Sequence, residues 1–222
     1  MEHAIHGEFA QYARLKFEEG ETCWSSKGGI MSYVDGLDWT LRIPGGVAGA
    51  AKRMLSGEGM GLARLEARRN GVTASLASNQ PGKIFTWLLS DGPVITTRGS
   101  FLAAWGDVDI NVTVTKRAGA ALFGGAGLFL QQLSGQGTVL IHSAGDLDDR
   151  WLSKGESLTV STGHLAAFSS AVDYDIQYVG RVRKVLFGGE GLFMTRLTGP
   201  GRVLLQSLKR SDAAPTAAGQ GG

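Results

Sequence analysis

The chain has 222 residues, 43% of them hydrophobic and 19% charged, which is enough apolar material for a real core and excludes a disordered polyelectrolyte. A formal net charge of +2 lacks the strongly basic balance of a dedicated nucleic-acid binder, and one cysteine excludes an intrachain disulfide and suits a reducing compartment. The 34 glycines follow no three-residue period, which excludes collagen and points to many tight turns between short strands.

Met1-Glu2-His3-Ala4 has no basic region followed by an apolar run, so no secretory signal is expected. The most apolar stretch, Ala118 to Leu130, is broken by glycines and is shorter than the roughly 18 residues a membrane-spanning helix needs. A cytoplasmic setting is expected. Residues 1–19 fit an amphipathic strand or a short helix equally well.

From Gly20 a repeated pattern begins. Gly20 to Tyr33 can be laid without a gap on Gly155 to Phe168, and Asp91 to Trp105 matches the same segment with Leu102 on Leu165. Each copy reads as a strand, a turn and a short second strand. Next comes a period-two run in each copy: Leu37, Trp39, Leu41 and Ile43; Val108, Ile110, Val112 and Val114; Tyr174, Ile176 and Tyr178. Such alternation marks a strand with one apolar face, and a one-residue slip would turn that face outward.

Each run leads through basic residues into a glycine loop. The basic clusters are Lys52-Arg53, Lys116-Arg117 and Arg181-Val182-Arg183-Lys184. The loops centre on Gly57, Gly125 and Gly189, which stand 68 and 64 residues apart. Two more strands joined by a turn follow each loop. The turns are Asn70-Gly71, a strong hairpin signal, Gly135-Gln136-Gly137 and Gly199-Pro200-Gly201. The last strands, Val139 to Ile141 and Val203 to Leu205, are almost wholly apolar and are expected to be covered on both faces. Ser211 onward lacks core-forming residues and reads as a disordered tail, 211–222.

The reading is an all-β protein in which three tandem similar β units form stacked sheets, a β-sandwich or double-stranded β-helix-like arrangement. The units span about 8–78, 79–145 and 146–210 within a single domain, 1–210.

The ordered series Lys-Arg, Leu, Gly-Glu-Gly, Leu-Phe, Leu-Thr, Gly-Pro-Gly, Val and Gln between Arg183 and Ser207 resembles the altered-inheritance-of-mitochondria family of mitochondrial biogenesis proteins and their bacterial relatives. Lys52 to Glu58 and Leu122 to Leu130 carry the same resemblance, which covers roughly Glu8 to Arg210. It implies a fold like that of the tryptophan RNA-binding attenuation protein, often in a trimeric ring. It implies no established activity for bacterial members, and fold likeness does not transfer RNA binding.

Candidate chemistry is sparse. Cys23 takes the place of Leu158 and reads as a core residue. The four histidines have no metal-ligand spacing, so no cofactor or metal is expected. Asp107 and Asp109, like Asp173 and Asp175, fall on one strand face and read as a solvated surface. Asp146, Asp148 and Asp149 read as a turn. The glycine loops lack the strand–loop–helix context of a phosphate cradle. Leu122, Phe123, Gly125, Gly127 and Phe129, with Leu186, Phe187, Gly189, Gly191 and Phe193, are instead expected in a subunit or unit interface. Lys52, Arg53, Lys116, Arg117, Arg181, Arg183 and Lys184 are candidate anion-binding residues. The function expected is that of a non-enzymatic, homo-oligomeric scaffold or binding protein, a trimer favoured, with no small-molecule substrate. The alternative is RNA or anionic-lipid binding through the basic clusters.

Overall fold

The computed structural model describes residues 1–44, 61–115, 128–178 and 193–210. The period-two runs fold as strands, and residues 1–19, ambiguous in sequence, contribute β1 (Glu2–His6) and β2 (Tyr12–Phe17). The next strands are β3 (Thr22–Ser25), β4 (Ile30–Tyr33), β5 (Leu37–Arg42), β6 (Leu62–Ala67) and β7 (Val72–Ala77). The middle of the chain gives β8 (Gly82–Leu88), β9 (Val94–Thr97), β10 (Phe101–Thr115) and β11 (Leu128–Ala144). The last third gives β12 (Leu147–Leu152), β13 (Ser157–Ser161), β14 (Leu165–Ser169), β15 (Asp173–Tyr178), β16 (Phe193–Thr198) and β17 (Gly201–Gln206). Among the described residues the only helices are two short 3-10 turns, at Leu89–Asp91 and Thr162–His164.

One antiparallel pairing scheme recurs in three successive stretches. In the first, β2 and β4 flank β7, while β3 and β5 flank β6. In the third, β12 and β14 flank β17, while β13 and β15 flank β16. In the second, the long strands do double duty. β8 and the start of β10 flank the end of β11, while β9 and the rest of β10 flank its beginning. A register shift recurs at the same place in each stretch: Ile30/Ser32, Phe101/Ala103 and Leu165/Ala167. Phe101, not Leu102, therefore stands where Leu165 stands. Gly92-Pro93-Val94 is one residue shorter than Gly155-Glu156-Ser157-Leu158, so an ungapped match slips by one.

Two seams join the stretches. β3 pairs with the start of β10 through Ser25↔Ala103, Trp24↔Ala104 and Cys23↔Trp105. β9 pairs with β14 through Thr96↔Ala167, Ile95↔Phe168 and Val94↔Ser169. These seams carry one continuous sheet from β12 to β5, leaving a four-stranded sheet around β7 and a three-stranded sheet around β16 at the two ends.

The core follows from this order. Central strands β7, β11 and β17 have neighbours on both edges and bury Val72, Leu76, Val139, Leu140, Ile141, Val203 and Leu204. Leu15, Phe17, Leu65 and Leu76 pack with Leu102 and Leu140 across the first seam. Val94, Leu133 and Ile141 pack with Ala166, Ala167 and Leu204 across the second. Burial at roughly 25 cal/mol per Å² of apolar surface makes these seams a principal source of stability.

The sequence predicts a turn at Gly135-Gln136-Gly137, but there the chain continues as strand. Gly135, Gln136 and Gly137 pair with Val108, Asp107 and Gly106, so one long hairpin runs unbroken through this place. Gly137 permits this: a Cβ there would collide with the Trp105 carbonyl oxygen and lie 2.7 Å from a Val108 methyl. Similarly, Asp148 and Asp149 lie on β12 opposite Leu205 and Leu204 rather than in a turn. Gly137→Ala is expected to cost about 1–3 kcal/mol by overpacking, while Gln136→Ala beside it stays within about 0.5 kcal/mol. Urea unfolding of both variants checks the difference.

Candidate functional site

β4, β10 and β14, which follow the short linkers 26–29, 98–100 and 162–164, differ sharply in exposure. Phe101 to Ala104 and Leu165 to Phe168 are buried without exception. Their counterparts Met31, Ser32 and Tyr33 are exposed, and Ile30 is half-buried. Tyr33 is 47% exposed where Ala104 and Phe168 are 0%. The cause lies in topology. β10 and β14 are each covered by a strand of the preceding stretch, whereas β4 begins the series and pairs, among the described residues, only with β7.

Beside β4, Trp39 and Leu41 of β5 are also exposed, at 46% and 57%, although Ile110, Val112 and Ile176 in matching places are buried. Ile30, Met31, Tyr33, Trp39, Leu41 and Ala63 line an open groove of about 640 Å³. Its other side is polar. Arg68 Nε donates to Asp38 at 2.6 Å and Arg68 Nη1 to Glu66 at 2.8 Å, and those residues with Tyr33, Trp39 and Arg64 line a second hollow. An apolar groove with a charged rim is the pattern of a macromolecular contact surface.

A second polar feature lies where β11 meets the end of the described chain. Arg210 donates to Gln80 Oε1 at 3.2 Å, to the Ser100 hydroxyl, and to both the carbonyl and Nδ1 of His142. Accepting at Nδ1 leaves the His142 proton on Nε2, a buried nitrogen with no hydrogen-bond partner. Burial, then the Arg210 charge, pushes the His142 pKa down to about 4, and burial pushes Arg210 down to about 10. The arrangement ties residues on either side of the second seam together and holds a neutral imidazole.

Most residues singled out in the sequence lie elsewhere. Leu122, Phe123, Gly125, Gly127, Leu186, Phe187, Gly189 and Gly191 lie outside the described residues, as do Lys52, Arg53, Lys116, Arg117, Arg181, Arg183 and Lys184. Phe129 is described only as a backbone position of β11, opposite Val114. Phe193 opens β16 opposite Tyr178 and packs against the last core cluster. Cys23 is buried in the core, its thiol pushed up to about 12 by burial, which removes it as a nucleophile at neutral pH. Asp107, Asp109, Asp173 and Asp175 are exposed, and among the described residues no three His, Cys, Asp or Glu side chains cluster as a metal site would require. The groove at β4 was missed because its residues are ordinary core types. The clue available was Tyr33, a large aromatic at the place held by Ala104 in the second stretch.

Stacked antiparallel sheets with an open apolar edge and no metal-type cluster among the described residues define an all-β protein with the features of a binding surface. The match to known proteins is to one family. A profile of the family described as mitochondrial biogenesis AIM24 matches residues 3–208, and the chain belongs to that family. It is 29% identical over 210 residues to an uncharacterized protein of Streptococcus pyogenes serotype M6, covering 91% of this chain and 83% of that one. It shares its fold with a Streptococcus pyogenes protein solved by X-ray crystallography, with a TM-score of 0.77, 24% identity and 94% of each chain covered. No described helix is long and apolar enough to cross a membrane.

His142 generates a pH prediction. The unfolded imidazole takes a proton near pH 6.5 but the folded one only near 4, so the unfolded state binds more protons between those values. Folding stability should therefore fall as pH drops from about 6.5 to 4, by up to about 3 kcal/mol from this group. His142→Gln should lose that part of the slope. Parallel unfolding curves for the two proteins across this window would contradict the assignment.

Proposed function

We propose that this chain is a non-enzymatic β scaffold, built of three like units, that works as a homo-oligomer. The observation that supports this reading most is the bare β4. Among the described residues the same strand position is fully covered in the second and third stretches and uncovered in the first, with Met31, Tyr33 and Val34 exposed. Exposed apolar side chains on an unpaired strand edge favour association. A second copy supplies a cover of the right kind, because the chain already covers its own equivalent strands twice. A cytoplasmic setting, and a trimer of the kind implied by likeness to the tryptophan RNA-binding attenuation protein, belong to this proposal. RNA or anionic-lipid binding rests on basic clusters outside the described residues, and no described residue favours it.

Light scattering on the purified chain should give a stable multiple of 23.4 kDa, three-fold favoured. Tyr33→Lys with Val34→Lys should shift it to monomer while changing folding stability by no more than about 0.5 kcal/mol per exposed site. A wild-type monomer at micromolar concentration would sink the scaffold reading.

A further inference from the structure

The two seams obey one rule that extends past the ends of the chain. In each, the strand before the short linker of one stretch pairs antiparallel with the strand after the linker of the next: β3 with β10, then β9 with β14. The registers are equivalent. Ser25 and Thr96 oppose Ala103 and Ala167, Trp24 and Ile95 oppose Ala104 and Phe168, and Cys23 and Val94 oppose Trp105 and Ser169. A hydroxyl-bearing residue follows in both cases and reaches the bulge of the facing strand. The Ser26 N–H donates to the Leu102 carbonyl at 2.9 Å. The Thr97 hydroxyl lies 2.7 Å from the Leu165 carbonyl and 3.1 Å from that of Ala166.

Two strand edges of this kind remain unused. β4, the first strand after a linker, pairs only with β7, and β13, the last strand before a linker, pairs only with β16 among the described residues. The residues of both fit the rule. β4 has its bulge at Ile30/Ser32 like the other two. On β13, Leu158 stands where Cys23 and Val94 stand, Val160 where Ser25 and Thr96 stand, and Ser161, with both a backbone N–H and a hydroxyl to offer, stands at the position of Ser26 and Thr97. Leu158, half-buried, and exposed Thr159 are less covered than a seam strand would be.

We infer that copies of this chain join head to tail, β4 of one copy pairing antiparallel with β13 of the next, in the register Ser32↔Val160, Tyr33↔Thr159 and Val34↔Leu158. Ser161 of the second copy then meets the Met31 carbonyl at the bulge. This inference rests on the oligomeric reading above and specifies its contact. Because the contact is between two different surfaces, repeated addition generates a ring or an open fibre rather than a two-fold dimer. Each added copy continues the same sheet, and the β4 groove becomes an internal seam like the two within the chain.

The test uses full-length single-cysteine additions, with buried Cys23 left in place. Protein carrying Tyr33→Cys is mixed with protein carrying Thr159→Cys and mildly oxidised, and Val34→Cys is mixed with Leu158→Cys likewise. Neighbouring antiparallel pairs alternate in Cα separation, so one of the two mixtures holds the closer geometry for a disulfide. Expected is a covalent dimer from at least one mixture, none from any single variant oxidised alone, and a ladder when both cysteines of that pair sit in one chain. A dimer from Tyr33→Cys alone would show β4 pairing with itself and overturn the head-to-tail contact. An oligomer by light scattering that cross-links in neither mixture overturns the contact but leaves the scaffold reading. A wild-type monomer overturns both.

Discussion

The structure depends on one interaction, the edge-to-edge pairing of a strand that follows a short linker with a strand of the preceding stretch. Each three-stranded sheet is too small to bury its own apolar face well. Joining at the seams turns small sheets into one long sheet and brings Leu102 and Leu140 against Leu65 and Leu76, and Ala166 and Leu204 against Val94 and Ile141. The bulges of β10 and β14 each present a carbonyl to the facing strand, which is met by the Ser26 backbone N–H in the first seam and by the Thr97 hydroxyl in the second. Wherever the pairing is present the strand is buried. At β4, where no such pairing exists among the described residues, the same strand type stands open.

Much of this was legible in the sequence, because alternation and repetition are strong signals. The runs Leu37 to Ile43, Val108 to Val114 and Tyr174 to Tyr178 became β5, the outer part of β10, and β15, with only Ile43 lying just past its strand. The apolar runs Val139 to Ile141 and Val203 to Leu205 became strands flanked on both edges. Three things were not legible. A one-residue deletion before Val94 displaced the match by a position. Gly135 and Gly137 look like turn residues, but here glycine serves the close approach of two backbones within a long hairpin. The strands of the second stretch run on through the places where the others break, a difference of loop length that no periodicity reports.

The site was less legible than the fold. The conspicuous motifs, glycine loops and basic clusters, lie outside the described residues and yield no geometry. The informative residues were inconspicuous ones. Trp39 and Leu41 fall on the apolar face of a period-two run and Tyr33 ends a matched segment, but pattern tells which face is apolar and not what covers it, and Val34 belongs to no run. Exposure separates them from Ala104, Trp105, Ile110 and Val112, and only the strand order explains why.

The central claim is that the open β4 edge is a seam waiting for its partner strand. Amide hydrogen exchange on the assembled protein, resolved at residues 30–34, tests it most directly. The account predicts that whichever of the Ser32 and Tyr33 amides does not bond to β7 exchanges as slowly as those of Ala103 to Trp105 and Ala167 to Ser169. It also predicts matching protection on β13 at Leu158 to Val160. Fast exchange at β4 in a protein shown to be oligomeric would place the contact elsewhere and contradict the account.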